Sequence, residues 1–116
     1  MTLSMYTASV PVFQQMLGSL DALLAKAEAH ATERKIDPDA LLQSRLFPDM
    51  FPLLRQVQIA REIVLRPGTP KERRIAGQAY LLNYGLPQFF FHVTTSYALL
   101  RHNGIEVGKR DYMGTY

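Results

Sequence analysis

The chemistry open to this 116-residue chain rests largely on three histidines, His30, His92 and His102, because the sequence contains no cysteine. Disulfides and thiolate metal sites are thereby excluded. His30 and His102 fall near expected helix C-termini, where a partly charged imidazole favours the helix dipole, and capping accounts for both. No Ser-His-acid spacing points to a nucleophilic triad. Carboxylates cluster only at Asp37 and Asp39, either side of Pro38, which is a turn signal. Gly104 and Gly108 are not expected to be followed by the helix that a phosphate-cradling loop needs. Phe89, Phe90 and Phe91 read most simply as core packing. That leaves His92, on an aromatic-rich helix, as the side chain of most interest.

Composition narrows the classes. Apolar residues make up 47% and charged residues 20% of the chain, which is ordinary for one globular domain over residues 1–116. The net charge of +3 raises the question of nucleic acid. The basic residues, however, gather only at Arg66, Lys71, Arg73 and Arg74, a stretch broken by Pro67, Gly68 and Pro70, and at Lys109-Arg110. Neither stretch interleaves aromatics, so a solvated turn is expected and no nucleic-acid partner. No apolar run is long enough to span a bilayer, and the start lacks the pattern of a signal peptide. A cytoplasmic protein is the expectation.

The elements that must position these side chains are mainly helical. Val10, Phe13, Leu17, Leu20, Leu24 and Ala27 recur at spacings of three and four, predicting an amphipathic helix over residues 9–32. Ser9 is its expected N-cap, Pro11 lies in its first turn, and Ile36-Asp37-Pro38 stops it. A short helical turn opens at Asp37-Pro38-Asp39 and includes Leu41 and Leu42. A second helix is predicted from Pro48-Asp49 through Leu53, Leu54, Val57 and Ala60. The β-branched run Glu62-Ile63-Val64-Leu65-Arg66, followed by Pro67-Gly68-Thr69-Pro70, reads as a strand entering a turn. Arg73-Arg74-Ile75-Ala76 is its return strand. The last long helix runs from Gly77-Gln78 to Asn103-Gly104, with Gly104 taking the left-handed C′ position. Gly85 and Pro87 predict a kink within it. The tail from Ile105 onward, without periodicity, is expected as a pendant segment over the bundle.

Three stretches carry a likeness to a known group. They are Met5-Tyr6 with Val10-Pro11-Val12-Phe13, the run Phe47-Pro48-Asp49-Met50-Phe51-Pro52-Leu53 with Arg55-Gln56-Val57-Gln58, and a C-terminal block. That block comprises Tyr80-Leu81-Leu82, Leu86-Pro87-Gln88-Phe89-Phe90-Phe91-His92-Val93-Thr94-Thr95, Leu100-Arg101-His102-Asn103-Gly104 and Gly108-Lys109-Arg110-Asp111-Tyr112. Together they resemble a bacterial domain-of-unknown-function family within the DinB/YfiT-like superfamily. The resemblance implies an up-down four-helix bundle. Here Gln58-Ile59-Ala60 runs almost directly into Glu62-Ile63, so the third bundle helix is expected to be missing, with an internal deletion near residues 60–63. Three main helices and a short β-hairpin before the last of them remain.

The superfamily resemblance also implies a metal site of three histidines, two of them at His-x-x-x-His on the last helix. Aligned on Leu100-Arg101, His92 takes one of those positions, Gln88 the other, and the second helix offers Arg55, Gln56 and Gln58. One imidazole among amides is a poor site for divalent nickel or zinc, so no cofactor is expected. A histidine hydrogen-bonded within the core is the simpler reading. Gln56 or Gln58 with Gln88, His92 and Thr95 would alternatively line a polar cleft for a small acid or amide, against the plainer view that the glutamines form a solvated helix face. Three readings stand open: a bundle binding a small ligand near His92, a non-catalytic interaction module, and a metal-dependent hydrolase or thiol transferase as in the superfamily. Loss of a bundle helix would uncover the stripes Val10/Phe13/Leu17 and Leu86/Phe89/Val93/Leu100, so a homodimer is expected.

Overall fold

A computed structural model of the chain describes residues 4–65 and 77–116. Helix α1 spans Met5–Arg34, α2 Pro38–Leu42, α3 Leu53–Leu65, α4 Gly77–Tyr80, α5 Leu86–His102 and α6 Lys109–Met113. A π-helical segment, Leu81–Gly85, joins α4 to α5. No strand occurs among the described residues.

α1 starts earlier than Ser9, so Pro11 lies inside the helix and not in its first turn. The residues that reach the core are Met16, Leu20, Leu23, Ala27 and Ala31, again spaced by three and four. Phe13, Leu17 and Leu24 flank that line, half-buried. The helix ends where Lys35 turns left-handed at φ 56°. The Ile36 N–H then reaches back to the Ala31 carbonyl at 2.8 Å, a Schellman closure. A left-handed lysine costs about 1–2 kcal/mol, whereas glycine's extra chain entropy costs about 0.5–1. Lys35→Gly should therefore raise stability by about 0.5–1 kcal/mol in urea melts, and a loss would show that the lysine side chain holds the turn. Asp37 caps α2 by accepting from the Asp39 N–H at 3.0 Å, with Pro38 in its first turn.

The expected β-hairpin is corrected here. Residues 62–65, read from their β-branched run as its first strand, complete α3. The turn at 67–70 and the return at 73–76 lie outside the described residues. The reason is a helical period hidden by a polar member. Leu53, Gln56 and Ala60 are buried, and Val57 and Ile63 pack beside them, so one face runs unbroken through the helix. Packing of that face outweighs the weak helix propensity of isoleucine and valine. On the other side Arg55 and Glu62, two turns apart, pair at 3.3 Å. The start of α3 is also later than expected, because Pro48 and Asp49 form a turn closed by the Met50 N–H on the Phe47 carbonyl at 2.9 Å.

α5 lies between α1 and α3. One core cluster joins Leu23, Ala27 and Ala31 of α1, Leu41, Leu53, and Leu99 and Leu100 of α5 with Ile105 and Val107. The other joins Met16 and Leu20 to Ala60, Phe89 and Val93. The expected kink takes the form of the π turn. There the Leu86 N–H bonds to the Leu81 carbonyl, five residues back, and Pro87, which has no N–H to donate, follows directly at the junction of the π turn with α5. The C-terminus is the predicted Gly104, at φ 84°, with the Ile105 N–H on the Leu100 carbonyl at 3.1 Å.

The tail is more integral than a pendant segment. Ile105 and Val107 are buried, and α6 follows Gly108. The Asp111 carboxylate accepts from the Gly108 N–H at 2.9 Å and pairs with Lys26 of α1 at 2.7 Å. Those bonds hold its carboxyl below the usual carboxylate range. Gln15 Nε2 donates to the Met113 carbonyl at 2.8 Å. Gly114, at φ 68°, lies so close to Ser19 Oγ that a Cβ there would collide with it.

Candidate functional site

The site is built where the loop before α3 folds over the start of α3 and the middle of α5. Arg45 Nη1 donates to the Met50 carbonyl at 2.6 Å, and the Leu53 N–H to the Ser44 carbonyl at 2.9 Å. Asn103 Nδ2 holds Ser44 Oγ at 3.2 Å, fastening the loop to the end of α5. The cavity formed is about 240 Å³, lined by Asp49, Met50, Phe51, Gln56, Phe91 and His92.

The floor is a directed chain of hydrogen bonds. Gln56 is buried, and its Nε2 donates to the Phe51 carbonyl at 3.2 Å. A carbonyl only accepts, so the amide is oriented with Oε1 toward His92 Nδ1, 2.6 Å away. An amide oxygen also only accepts, so Nδ1 carries the proton and Nε2 carries the lone pair. His92 is 9% exposed. Burial, and then the Arg55 guanidinium, push its imidazole below the ordinary value of 6.5, favouring the neutral ring. With Nδ1 committed to Gln56, Nε2 is the ring nitrogen left to accept from a ligand. The Phe91 ring stands edge-on to His92, centroids 5.0 Å apart. Arg55 lies over Phe51 at 5.9 Å from the ring centroid.

Of the residues singled out by sequence, Gln56 and His92 meet at this floor. Gln58 is exposed, one residue past Val57 and off the buried face. Gln88 is half-buried and does not line this cavity. Thr95 is buried, its hydroxyl donating to the Phe91 carbonyl at 2.7 Å. Ser96 similarly donates to the His92 carbonyl at 2.8 Å. Asp49, Met50, Phe51 and Phe91 belong to the lining but escaped the sequence reading. For Asp49, Met50 and Phe51 the signal was the Phe-Pro-Asp-Met-Phe-Pro run, in which prolines bracket them within a loop; Phe91, read from the sequence as core packing, is instead 55% exposed.

The donor set does not fit a divalent transition metal. The cavity lining supplies one imidazole nitrogen and one carboxylate, and the Gln56 amide oxygen is already engaged. No group of three or more His, Cys, Asp or Glu residues able to hold a metal occurs among the described residues. Elemental analysis of protein purified without added metal should find well below about one nickel or zinc per chain. A stoichiometric metal lost in His92→Ala would contradict this.

Residues 5–67 and 60–113 match the family described as a domain of unknown function, DUF1993. The chain belongs to this family. The DUF1993 chain is also similar to a solved structure of a DinB family member from Shewanella denitrificans. The TM-score is 0.83 at 32% identity, over 96% of this chain and 92% of that one. None of the curated proteins compared with it matches. This DUF1993 protein is accordingly a DinB-like, mainly helical domain. No described helix is long and apolar enough to cross a membrane.

Proposed function

We propose that this DUF1993 protein binds a small molecule in the cavity between α3, α5 and the loop before α3. One observation carries the reading. Buried Gln56 and His92 Nδ1 meet 2.6 Å apart at the lining of an open, aromatic-walled cavity, a contact that assigns the ring proton to Nδ1 and the lone pair to Nε2. A histidine serving packing alone has no need of such a cavity. Pockets that bind small ligands combine apolar walls with a few oriented polar groups, as this one does. A nuclear magnetic resonance titration of labelled protein with phenol should give saturable shifts centred on the Met50 methyl, the His92 ring and the Gln56 amide. Phe91→Ser should weaken them. The absence of any saturable shift at these groups would end the proposal.

The interaction-module reading is favoured by a different observation. Phe47, Phe51 and Phe91 are 64%, 52% and 55% exposed, and Phe51 and Phe91 wall the same cavity. Of the stripes expected to need a partner, Phe89, Val93 and Leu100 are buried within the single chain, Phe13, Leu17 and Leu86 are half-buried, and Val10 is 36% exposed. A homodimer would use the surface around the cavity, where Phe51 and Phe91 are exposed. Sedimentation at about tens of micromolar giving the 13.2 kDa chain mass would exclude it. We also infer an internal deletion near residues 60–63, supported by a family match that falls into two stretches overlapping at 60–67.

A further inference from the structure

We propose that the cavity selects ligands whose polar end donates hydrogen bonds, namely small hydroxyl- or ammonium-headed molecules with an apolar body of about benzyl size, over carboxylate-headed ones. The inference rests on the ligand-binding reading above and adds the chemistry of the head group.

The polar side chains lining the cavity are Asp49, Gln56 and His92. Gln56 is spent at both ends, its Nε2 on the Phe51 carbonyl and its Oε1 on His92 Nδ1. Two side-chain groups remain for a ligand, the His92 Nε2 lone pair and the Asp49 carboxylate. Both accept, and one is negative. A ligand carboxylate would bring two further acceptors and a like charge, leaving its contacts with these two side chains unpaired or repulsive. A hydroxyl or ammonium would satisfy Nε2 directly. Phe51, Phe91 and Met50 supply apolar and aromatic walls, suited to a ring or a short alkyl chain, and an aromatic face also attracts an ammonium. Arg55 is the nearby cation that argues the other way. Its guanidinium does not line the cavity, and it is occupied by Glu62 at 3.3 Å and by the Phe51 ring. The acceptors therefore decide the polarity.

The test is a resonance titration of protein labelled with ¹⁵N in its histidine rings, using benzyl alcohol, benzylamine, benzoate and toluene as probes. Benzyl alcohol and benzylamine should each bind at least about tenfold more tightly than benzoate, the scale of a head group left unpaired. The His92 Nε2 resonance should move as they bind. Asp49→Asn, a change at an exposed loop position, should bring benzoate closer to the other probes. His92→Asn, which keeps a donor to Gln56 but removes Nε2, should abolish the advantage of benzyl alcohol over toluene. Benzoate binding most tightly, or all four probes binding alike, would overturn the head-group assignment while leaving a ligand cavity in place. An unchanged order in both variants would overturn it as well. If no probe perturbs a cavity resonance, the ligand-binding reading falls, and this inference falls with it.

Discussion

Phe89→Ala is expected to cost about 3–5 kcal/mol, enough to leave a large fraction of the chain unfolded at room temperature. The ring is fully buried at the centre of the second core cluster, among Met16, Leu20, Ala60 and Val93. It meets Phe13 edge-on at 4.8 Å between centroids and Phe90 at 5.7 Å. Removing it opens a cavity between α1, α3 and α5 that backbone on three sides cannot close. Phe91→Ala, two residues along the same helix, is the contrast. That ring is 55% exposed, and its loss should shift stability by about 0.5 kcal/mol or less. Urea denaturation of the two variants measures the difference directly. Equal losses, or a Phe89→Ala loss below about 1 kcal/mol, would mean that α5 is rotated relative to its neighbours.

The next largest effect is expected at His92. His92→Ala leaves Gln56 Oε1 buried without its donor and should cost about 1–3 kcal/mol. Gln56→Leu, which strands both His92 Nδ1 and the Phe51 carbonyl, should fall in the same range. Because the two residues form one chain of bonds, the double variant should cost less than the sum of the singles. His92→Asn is informative because the asparagine amide places an N–H near the position of Nδ1 but cannot titrate. In the unfolded chain His92 takes up its proton near pH 6.5, and in the folded chain only at lower pH. Between those values unfolding binds a proton, so the contribution of this group is complete above about pH 6.5 and is lost as pH falls through the folded value. The stability of the parent relative to His92→Asn should therefore decline from about pH 7.5 to about pH 5. A constant difference across that range would show that the ring titrates as it does in solvent.

Much of this fold could be read along the chain because its signals are local. Spacings of three and four set α1, Asp37-Pro38 sets the start of α2, and Gly104 sets the end of α5. Each depends on groups within one turn of one another. The family likeness rested on such stretches as well, and His92 stood out by its residue type among aromatics.

What tertiary structure decided involves partners distant in sequence. Residues 62–65 have the composition of a strand, yet are helical because Leu53, Gln56, Val57, Ala60 and Ile63 share a face that α1 and α5 cover. Phe89 and Phe91 are the same residue type two positions apart. Only the placement of α5 between α1 and α3 buries one and leaves the other beside the cavity. The tail carried no period, because Ile105 and Val107 are placed by burial in the core beside Leu23 and Ala27, and α6 by bonds to Lys26 and Gln15 of α1. The candidate site divides in the same way. The sequence by itself determined which side chains could accept or donate a proton near α5, and chose Gln56 and His92 among others. Only the folded chain could pair them, since a hydrogen bond across 36 positions has no local signature, and only the Phe51 carbonyl, brought in by the loop, determines which imidazole nitrogen is left for a ligand.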